Sequence, residues 1–177
     1  RLAITADRTF YAQSPDGGKM GLKVARSFAL LSYRTYGTYA TTQMEVNPDK
    51  LSDFKASSYQ NYQGEKLVNR FNAYSYWYLT KAMDSHHVGR KRNSVEDALK
   101  LIQAKTLVIG IKNDVLFPIE EQQFLANHIP NARFTELNSF YGHDGFLVET
   151  EILTQEIGNF FRAADSDNSV ISLHKIA

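Results

Sequence analysis

The chain has 177 residues, enough for one ordinary domain, and its 43% hydrophobic and 22% charged residues are typical of soluble globular proteins. A net charge of +1 gives no electrostatic basis for binding nucleic acid or an anionic membrane. The chain has no cysteine, which excludes disulfides, zinc-thiolate sites and a thiol nucleophile. No apolar run approaches the ~18 residues of a membrane-spanning helix, and no signal peptide is visible, so we expect a cytoplasmic protein. Because the chain begins at Arg1 without a methionine, we expect it to be a portion of something longer.

Apolar residues recur at helical spacing in the first hundred residues, and no segment there has the pattern of a strand. The clearest stripe comprises Leu22, Ala25, Ala29, Leu30 and Tyr33. The predicted elements are, in chain order, a helix at 21–33, an irregular stretch at 35–56, a short helix at 57–64, a helix at 67–82, a loop at 86–93 and a helix at 94–103. Ser94 is expected to be the N-cap of the last of these helices.

The pattern changes after residue 103, where strands and helices alternate. A continuous β-branched and apolar run predicts a buried strand at 106–111, and an alternating run predicts a second strand at 132–137. Helices are predicted between them at 119–128 and after them at 146–161. Strand, helix, strand and helix in this order indicate the α/β class, with the two strands parallel.

An acidic residue and a histidine follow the two predicted strands. Asp114 comes just after the first strand, where ligands of open α/β sheets bind, and His143 lies in a Gly-flanked turn after the second. Each has a structural alternative: Asp114 as a turn cap before Pro118, and His143 as a structural residue of its turn. Together they match the second half of a Ser…Asp…His triad, in which the carboxylate orients an imidazole that takes a proton from a hydroxyl. No Gly-x-Ser-x-Gly occurs in the sequence, so the nucleophile is missing.

Three further residues are candidates for contacting a substrate. Asp144, next to the histidine, is either the cap of the following helix or a partner for a cationic group. Arg26 is a cation within an apolar stripe, which requires a partner or a ligand, and a salt bridge within the helical region is the alternative. Tyr33 lies two turns further along the same face, where it could equally be a core aromatic.

Metal and phosphate sites are not predicted. His86, His87, His128 and His174 lack metal-ligand spacing and are interpreted as surface residues. The basic run at 90–92 is interpreted as a solvated loop, although the phosphate of a coenzyme could use it. We therefore expect no metal and no resident cofactor.

Five separated motifs, in the same order, resemble the C-terminal half of the homoserine O-acetyltransferase family. They are Gly21-Leu-Lys-Val-Ala-Arg26 with Tyr33-Arg34, Ser58-Tyr-Gln-Asn-Tyr-Gln-Gly-Glu-Lys66, Arg70-Phe-Asn-Ala-Tyr-Ser-Tyr76 running to Ala82-Met-Asp84, Asp114-Val-Leu-Phe-Pro118, and Tyr141-Gly-His-Asp-Gly-Phe-Leu147. The similarity runs from near residue 20 to about residue 161. Residues 35–43 depart from the family pattern.

The resemblance implies the C-terminal part of an α/β-hydrolase fold. Its last parallel strands and helices, at 98–163, would follow a helical lid and dimerisation region at 1–97 and precede a polar tail at 164–177. Asp114 and His143 would be the triad acid and base, Arg26 and Tyr33 would contact the amino-acid substrate, and Asp144 would bind its ammonium group.

The activity that the resemblance implies is ping-pong transfer of acetyl from acetyl-CoA to L-homoserine, in methionine biosynthesis, by a homodimer joined through the lid. Acetyl-CoA would be a co-substrate. The nucleophile and oxyanion hole would lie outside these residues, so the chain alone should be inactive. Alternatives are an acyl hydrolase or a succinyl- or serine-specific transferase of the same fold, and a non-catalytic dimerisation or binding module.

Overall fold

The structure is a computed structural model that describes residues 1–12 and 14–173. It separates into two compact units, the first comprising Arg1–His87 and the second beginning at Val88. The helical region that the resemblance implies extends to residue 97, beyond the end of the first unit at His87. The short helix that follows Ser94 packs against the helix at Ile119–His128, and so belongs with the strands rather than with the helical region.

The regular elements described in the first unit are all helices, joined by turns and by a longer irregular stretch at 44–54. Its helices are α1 (Leu2–Ala6), a 3₁₀ turn at Arg8–Ala12, α2 (Lys19–Tyr33), α3 (Tyr36–Gln43), α4 (Lys55–Val68) and α5 (Ala73–Ser85). A core of buried apolar side chains joins α1, α2, α4 and α5, and it consists of Ile4, Leu22, Leu67 and Ala73. Asp7 connects α1 to α2, because one of its carboxylate oxygens accepts a hydrogen bond from the Gly21 amide at 3.1 Å. The predicted helices at 21–33 and 57–64 are confirmed as parts of α2 and α4.

Residues 36–43 were predicted to be irregular, and that prediction is wrong because they form α3. The Thr35 side chain is the N-cap and accepts a hydrogen bond from the Thr38 amide at 3.1 Å. The apolar stripe that would have revealed this helix is weak, because Thr38 is its buried residue. This helix is therefore marked by a threonine N-cap and a buried threonine, and not by a stripe of apolar residues.

The prediction of a single helix at 67–82 is also wrong, because α4 ends at Val68 and a second helix, α5, begins at Ala73. Asn72 is the N-cap of α5, and its side chain accepts a hydrogen bond from the Ser75 amide at 2.8 Å. Leu67, in α4, lies in the core, and Phe71, in the segment between the two helices, packs against that core. The helical spacing of apolar residues therefore continues through the boundary between the two helices, which is set by the polar N-cap residue Asn72.

The second unit contains a two-stranded parallel sheet, as the sequence predicts. β1 (Thr106–Ile111) pairs with β2 (Ala132–Leu137) in the register Thr106↔Ala132 to Ile111↔Leu137. The crossover helix α7 (Ile119–His128) packs on both strands, and α6 (Val95–Lys100) packs on α7. Ser94 is the N-cap of α6, as predicted, and accepts a hydrogen bond from the Asp97 amide at 3.0 Å.

The helix predicted at 146–161 is present but interrupted. A 3₁₀ turn at Gly142–Asp144 leads into α8 (Gly145–Val148), and α9 runs over Thr150–Leu173. Glu149 separates α8 from α9 with a non-helical backbone (φ −80°, ψ 50°). The backbone of the predicted tail at 164–177 is helical up to Leu173, and residues 174–177 lie outside the described part of the chain. Among the described residues, no helix has the length and apolar character needed to cross a bilayer.

Candidate active site

Asp114 is held in place by the backbone that follows β1. Its amide donates to the Ile111 carbonyl at 3.1 Å, and its Oδ1 accepts hydrogen bonds from the amides of Leu116 and Phe117 at 2.8 and 2.9 Å. The residue is only 9% exposed. Asp114 therefore does cap a turn, as its structural alternative proposed, but it uses one oxygen for this and its second oxygen points elsewhere.

That second oxygen meets His143. Asp114 Oδ2 lies 2.8 Å from His143 Nδ1, and the two side chains are 6% and 14% exposed. A hydrogen on Nδ1 satisfies this contact and places the ring's lone pair on Nε2, the nitrogen that can then accept a proton. A carboxylate on the far nitrogen fixes the tautomer and stabilises the imidazolium, as in a Ser-His-Asp triad.

The sheet brings the two residues together. Because β1 and β2 are parallel neighbours with Ile111 opposite Leu137, their carboxyl ends lie at one edge, and both loops start from that edge. Gly142 begins the histidine turn with φ +62°, a conformation that glycine adopts without strain. The strand order predicts the contact between Asp114 and His143. In the structure, the register of the two strands and the turn at Gly142 produce it.

Two aromatic rings border the imidazole. The rings of Phe117 and Phe146 lie 5.2 and 5.3 Å from the His143 ring, centroid to centroid, both in edge orientations. A cavity of about 320 Å³ opens at this point, lined by Ile109, Ile111, Asp114, Phe117, Gln122, His143 and Phe146. An apolar wall around an Asp–His pair lowers the local dielectric and strengthens their interaction. Sequence reasoning missed Phe117, Phe146 and Gln122, although both phenylalanines lie inside the two motifs that were singled out.

Asp144 lies beside the histidine and is partly exposed. It occupies the N-cap position of α8, yet its side chain makes no capping hydrogen bond. The capping role considered from the sequence is therefore not realised.

Arg26 and Tyr33 lie together in the first unit, on α2. The Arg26 guanidinium is 5.1 Å from the centroid of the Tyr33 ring, within range of a cation–π contact. Tyr76, on α5, is a neighbour that the sequence did not single out. Burial raises the pKa of its phenol and Tyr33 raises it further, while Arg26 and Arg70 act in the opposite direction. Asp114, His143 and Asp144 belong to the second unit, so the five predicted residues form two groups.

Nothing in residues 1–12 and 14–173 assembles three or more potential metal-ligating side chains. Ser139 is the serine closest in sequence to His143, and it is not a nucleophile, because its hydroxyl is buried and donates to Glu149 Oε1 at 2.8 Å. The described site thus contains an acid and a base that would act on a hydroxyl supplied from elsewhere.

Sequence comparison places the chain among curated homoserine O-acetyltransferases. It is 47% identical over 161 residues to the protein of Cyclobacterium marinum, covering 91% of this chain and 46% of that protein. It is 40% identical over 177 residues to the protein of Chlorobaculum tepidum, covering 95% of this chain and 48% of that protein. The chain spans about half the length of the curated relatives it matches. No protein-family model matches it.

Comparison with solved structures supports the fold. Homoserine O-acetyltransferase from Bacillus anthracis superposes with a TM-score of 0.76 at 22% identity, covering 90% of this chain and 46% of that one. Esterase E22 superposes with a TM-score of 0.75 at 20% identity, covering 90% of this chain and 47% of that one. These two similarities show a shared fold, the α/β-hydrolase fold, of which this chain is a C-terminal part.

Relatives at 40–47% identity, together with the shared fold, show that the chain is similar to homoserine O-acetyltransferases and spans about half the length of those relatives.

Proposed function

We propose that this chain supplies the acid and the base of a homoserine O-acetyltransferase, which transfers acetyl from acetyl-CoA to the side-chain hydroxyl of L-homoserine. The 2.8 Å contact between His143 Nδ1 and Asp114 Oδ2 beside an open cavity is the observation that carries the proposal. The name shared by the curated relatives supplies the reaction.

The proposed chemistry needs a serine from outside these residues. His143 Nε2 takes the proton of that serine hydroxyl while the serine oxygen attacks the thioester, and coenzyme A leaves as the thiol with the proton from the imidazolium. The homoserine hydroxyl then attacks the acetyl-serine, and His143 accepts its proton and returns it to the serine oxygen. Asp114 stays ionised and stabilises the imidazolium in both halves of the reaction.

Charge suggests how the amino-acid substrate is recognised. A homoserine zwitterion presents a carboxylate and an ammonium group. We propose that Arg26, with Tyr33, binds the carboxylate, since a guanidinium forms strong charge-assisted hydrogen bonds with carboxylates. Asp144 is the proposed partner of the ammonium group, because its carboxylate is partly exposed and lies next to His143 in the chain.

We also propose that the protein is a cytoplasmic homodimer that acts in methionine biosynthesis. Acetyl-CoA is an intracellular metabolite, which supports the compartment. The exposed apolar side chains of α2 support the dimer: Met20, Val24, Phe28 and Leu31 are 64%, 46%, 67% and 62% exposed and follow one another at helical spacing. Replacing Val24 and Leu31 with lysine should shift the molar mass measured by light scattering from that of a dimer to that of a monomer.

Assays distinguish this proposal from two alternatives: an acyl hydrolase or another acyltransferase of the same fold, and a non-catalytic module. Esterase E22 and the acetyl esterase MekB have the same fold, so the fold alone does not distinguish acyl transfer from hydrolysis. A succinyl donor, or serine as acceptor, would use the same acid and base. The non-catalytic alternative predicts that the chain is a stable folding unit without a catalytic partner, although a two-stranded sheet with open edges argues against it.

The test uses a joined protein, in which the amino-terminal half of the Cyclobacterium marinum relative precedes this chain. Acetyl-CoA or succinyl-CoA is supplied with homoserine or serine, and products are quantified by mass spectrometry. The proposal predicts O-acetylhomoserine as the main product from the first pair. Free acetate as the main product would favour a hydrolase, and no acyl transfer or hydrolysis, in a joined protein that is folded, would favour the binding module.

A further inference from the structure

We infer that Ser139 and Glu149 are positioning residues for His143, which hold its turn at the distance that Asp114 requires. Neither residue touches the cavity or the imidazole in the contacts described above. The inference rests on the proposed function, because it assigns these residues a role in the same proton transfer.

The Ser139 hydroxyl lies at the centre of the histidine turn. Ser139 is 1% exposed, and its Oγ donates to Glu149 Oε1 at 2.8 Å while accepting a hydrogen bond from the Tyr141 amide at 3.1 Å. One buried hydroxyl thus connects the residue that precedes the Gly142–Asp144 turn to the residue that follows α8. A hydrogen bond to a carboxylate is roughly twice as strong as one between neutral groups, so this connection is a firm one.

The turn also packs directly on Ser139. Gly145 begins α8, and a Cβ added to it would lie 2.7 Å from Ser139 Oγ and 2.8 Å from Ser139 Cβ. The segment that carries His143 therefore begins and ends at two residues, Ser139 and Gly145, that pack closely against each other. The interruption at Glu149 lets this carboxylate reach Ser139, which gives the break between α8 and α9 a structural reason.

A second connection joins this turn to the aspartate loop. Asn113 Nδ2 donates to the Ser139 carbonyl and to Asn138 Oδ1, both at 3.4 Å, and Asn113 precedes Asp114. The Asp114 and His143 backbones are thus connected next to their side-chain contact. Both Asn113 distances are long for hydrogen bonds, so this connection is weaker than the Ser139–Glu149 bond.

The expected consequence is a loss of alignment rather than a loss of the fold. Catalytic groups need to be held within about 0.5 Å of their productive geometry, and a misplacement of about 1 Å costs on the order of 100-fold in rate. A poorly aligned carboxylate also stabilises the imidazolium less. The acid limb of the pH–rate profile should then move to lower pH.

The chain offers a matched control between the neighbouring elements β2 and α9. Glu156 Oε2 accepts hydrogen bonds from the Thr135 hydroxyl at 3.3 Å and from Arg133 at 3.2 Å. This is also a hydroxyl–carboxylate pair, but it joins β2 to α9 and includes no residue of the histidine turn. Variants of Thr135 and Glu156 therefore report the cost of losing such a pair without affecting His143.

The experiment compares Ser139→Ala, Glu149→Ala and Glu149→Gln with Thr135→Val and Glu156→Ala in the joined protein. We expect Ser139→Ala and Glu149→Ala to lower kcat by about 10- to 100-fold with KM nearly unchanged, and to shift the acid limb of kcat/KM to lower pH. Glu149→Gln, which can still accept the serine hydrogen bond, should recover most of the rate. The two control variants should keep both the rate and the pH profile.

Two further readouts keep the inference testable if the proposed function fails. Hydrolysis of p-nitrophenyl acetate needs the same acid and base, so it tests the variants even if homoserine is not the acceptor. The low-field proton resonance of His143 Nδ1–H reports the Asp114 contact in protein that is not turning over, and Ser139→Ala should weaken or shift it. If Ser139→Ala and Glu149→Ala lower only the melting temperature, with rate, pH profile and resonance matching the controls, the inference is overturned.

Discussion

The two groups of candidate residues are held in very different ways. Asp114 and His143 meet where two buried strands end, and the carboxylate accepts hydrogen bonds from two backbone amides as well as facing the imidazole. Arg26 and Tyr33 contact each other along a single helix and are both partly exposed. Groups that exchange protons need fixed geometry, whereas groups that bind a charged substrate tolerate adjustment. The comparison suggests that changes in the first group will lower kcat and changes in the second will raise KM.

The largest effect is expected from Asp114→Asn. The asparagine oxygen can still accept from the Leu116 and Phe117 amides, so the turn should survive. The side chain loses its charge and presents an amide to His143, which stabilises the wrong tautomer, and kcat should fall by about 10⁴-fold. Steady-state kinetics of the joined protein measure this, and circular dichroism checks the fold. A change confined to KM would contradict the distinction drawn here.

A smaller effect is expected from Arg26→Gln. Loss of a charge-assisted hydrogen bond to the substrate carboxylate costs about 1.5–3 kcal/mol, so KM for homoserine should rise by about 10- to 100-fold. The acetyl-CoA half-reaction, measured as thiol release in the pre-steady-state burst, should be unchanged. Lys66→Gln is the matched control, since Lys66 is also a cation over a tyrosine ring of the same unit, 5.8 Å from the Tyr62 centroid. If the two variants change the KM for homoserine equally, Arg26 does not bind the substrate carboxylate.

The next prediction concerns the fold of the helical unit. Asn72→Ala removes the side chain that accepts the Ser75 amide at the start of α5 and should cost about 1 kcal/mol of unfolding free energy. Asn61→Ala, at an exposed position of helix α4, should be neutral or slightly stabilising, because alanine is the better helix former. Denaturant unfolding of the two variants measures the difference. Similar midpoints for both would show that the break between α4 and α5 does not depend on its cap.

The smallest effect is a pH dependence at Glu45. The hydrogen bond from Lys50, at 2.7 Å, and those from the backbone amides of Asn47 and Lys55 lower the pKa of Glu45 to about 2 from an ordinary value of 4.5. A lowered pKa contributes stability that is present above pH 4.5 and is lost as the pH falls toward 2. The unfolding midpoints of Glu45→Gln and the unaltered protein should differ most near neutral pH and converge between pH 4.5 and 2. If the two unfolding midpoints differ by the same amount at every pH, the effect of the substitution comes from packing and not from the charge of Glu45.

The sequence predicted some parts of this structure well because their signals are local. The strand at 106–111 is recognisable from its continuous apolar run, and the helix at 119–128 from its own sequence pattern. The order of the strands then places Asp114 and His143 at one edge of the sheet. The boundaries at Thr35, Asn72 and Glu149 were missed, because each depends on a polar or irregular residue within an otherwise continuous pattern. The rings around His143 were missed for another reason: side-chain direction in a loop depends on tertiary packing, which spacing does not encode.

The most direct test of the account is acetyl transfer to homoserine by the joined protein and by its His143→Ala variant. With the imidazole gone, no group at this position can take the serine proton, and O-acetylhomoserine formation should fall by at least ~10⁴-fold while the variant remains folded. Transfer within about tenfold of the unaltered protein would contradict the assignment of His143 as the base, and with it the proposed function of the Asp114–His143 pair.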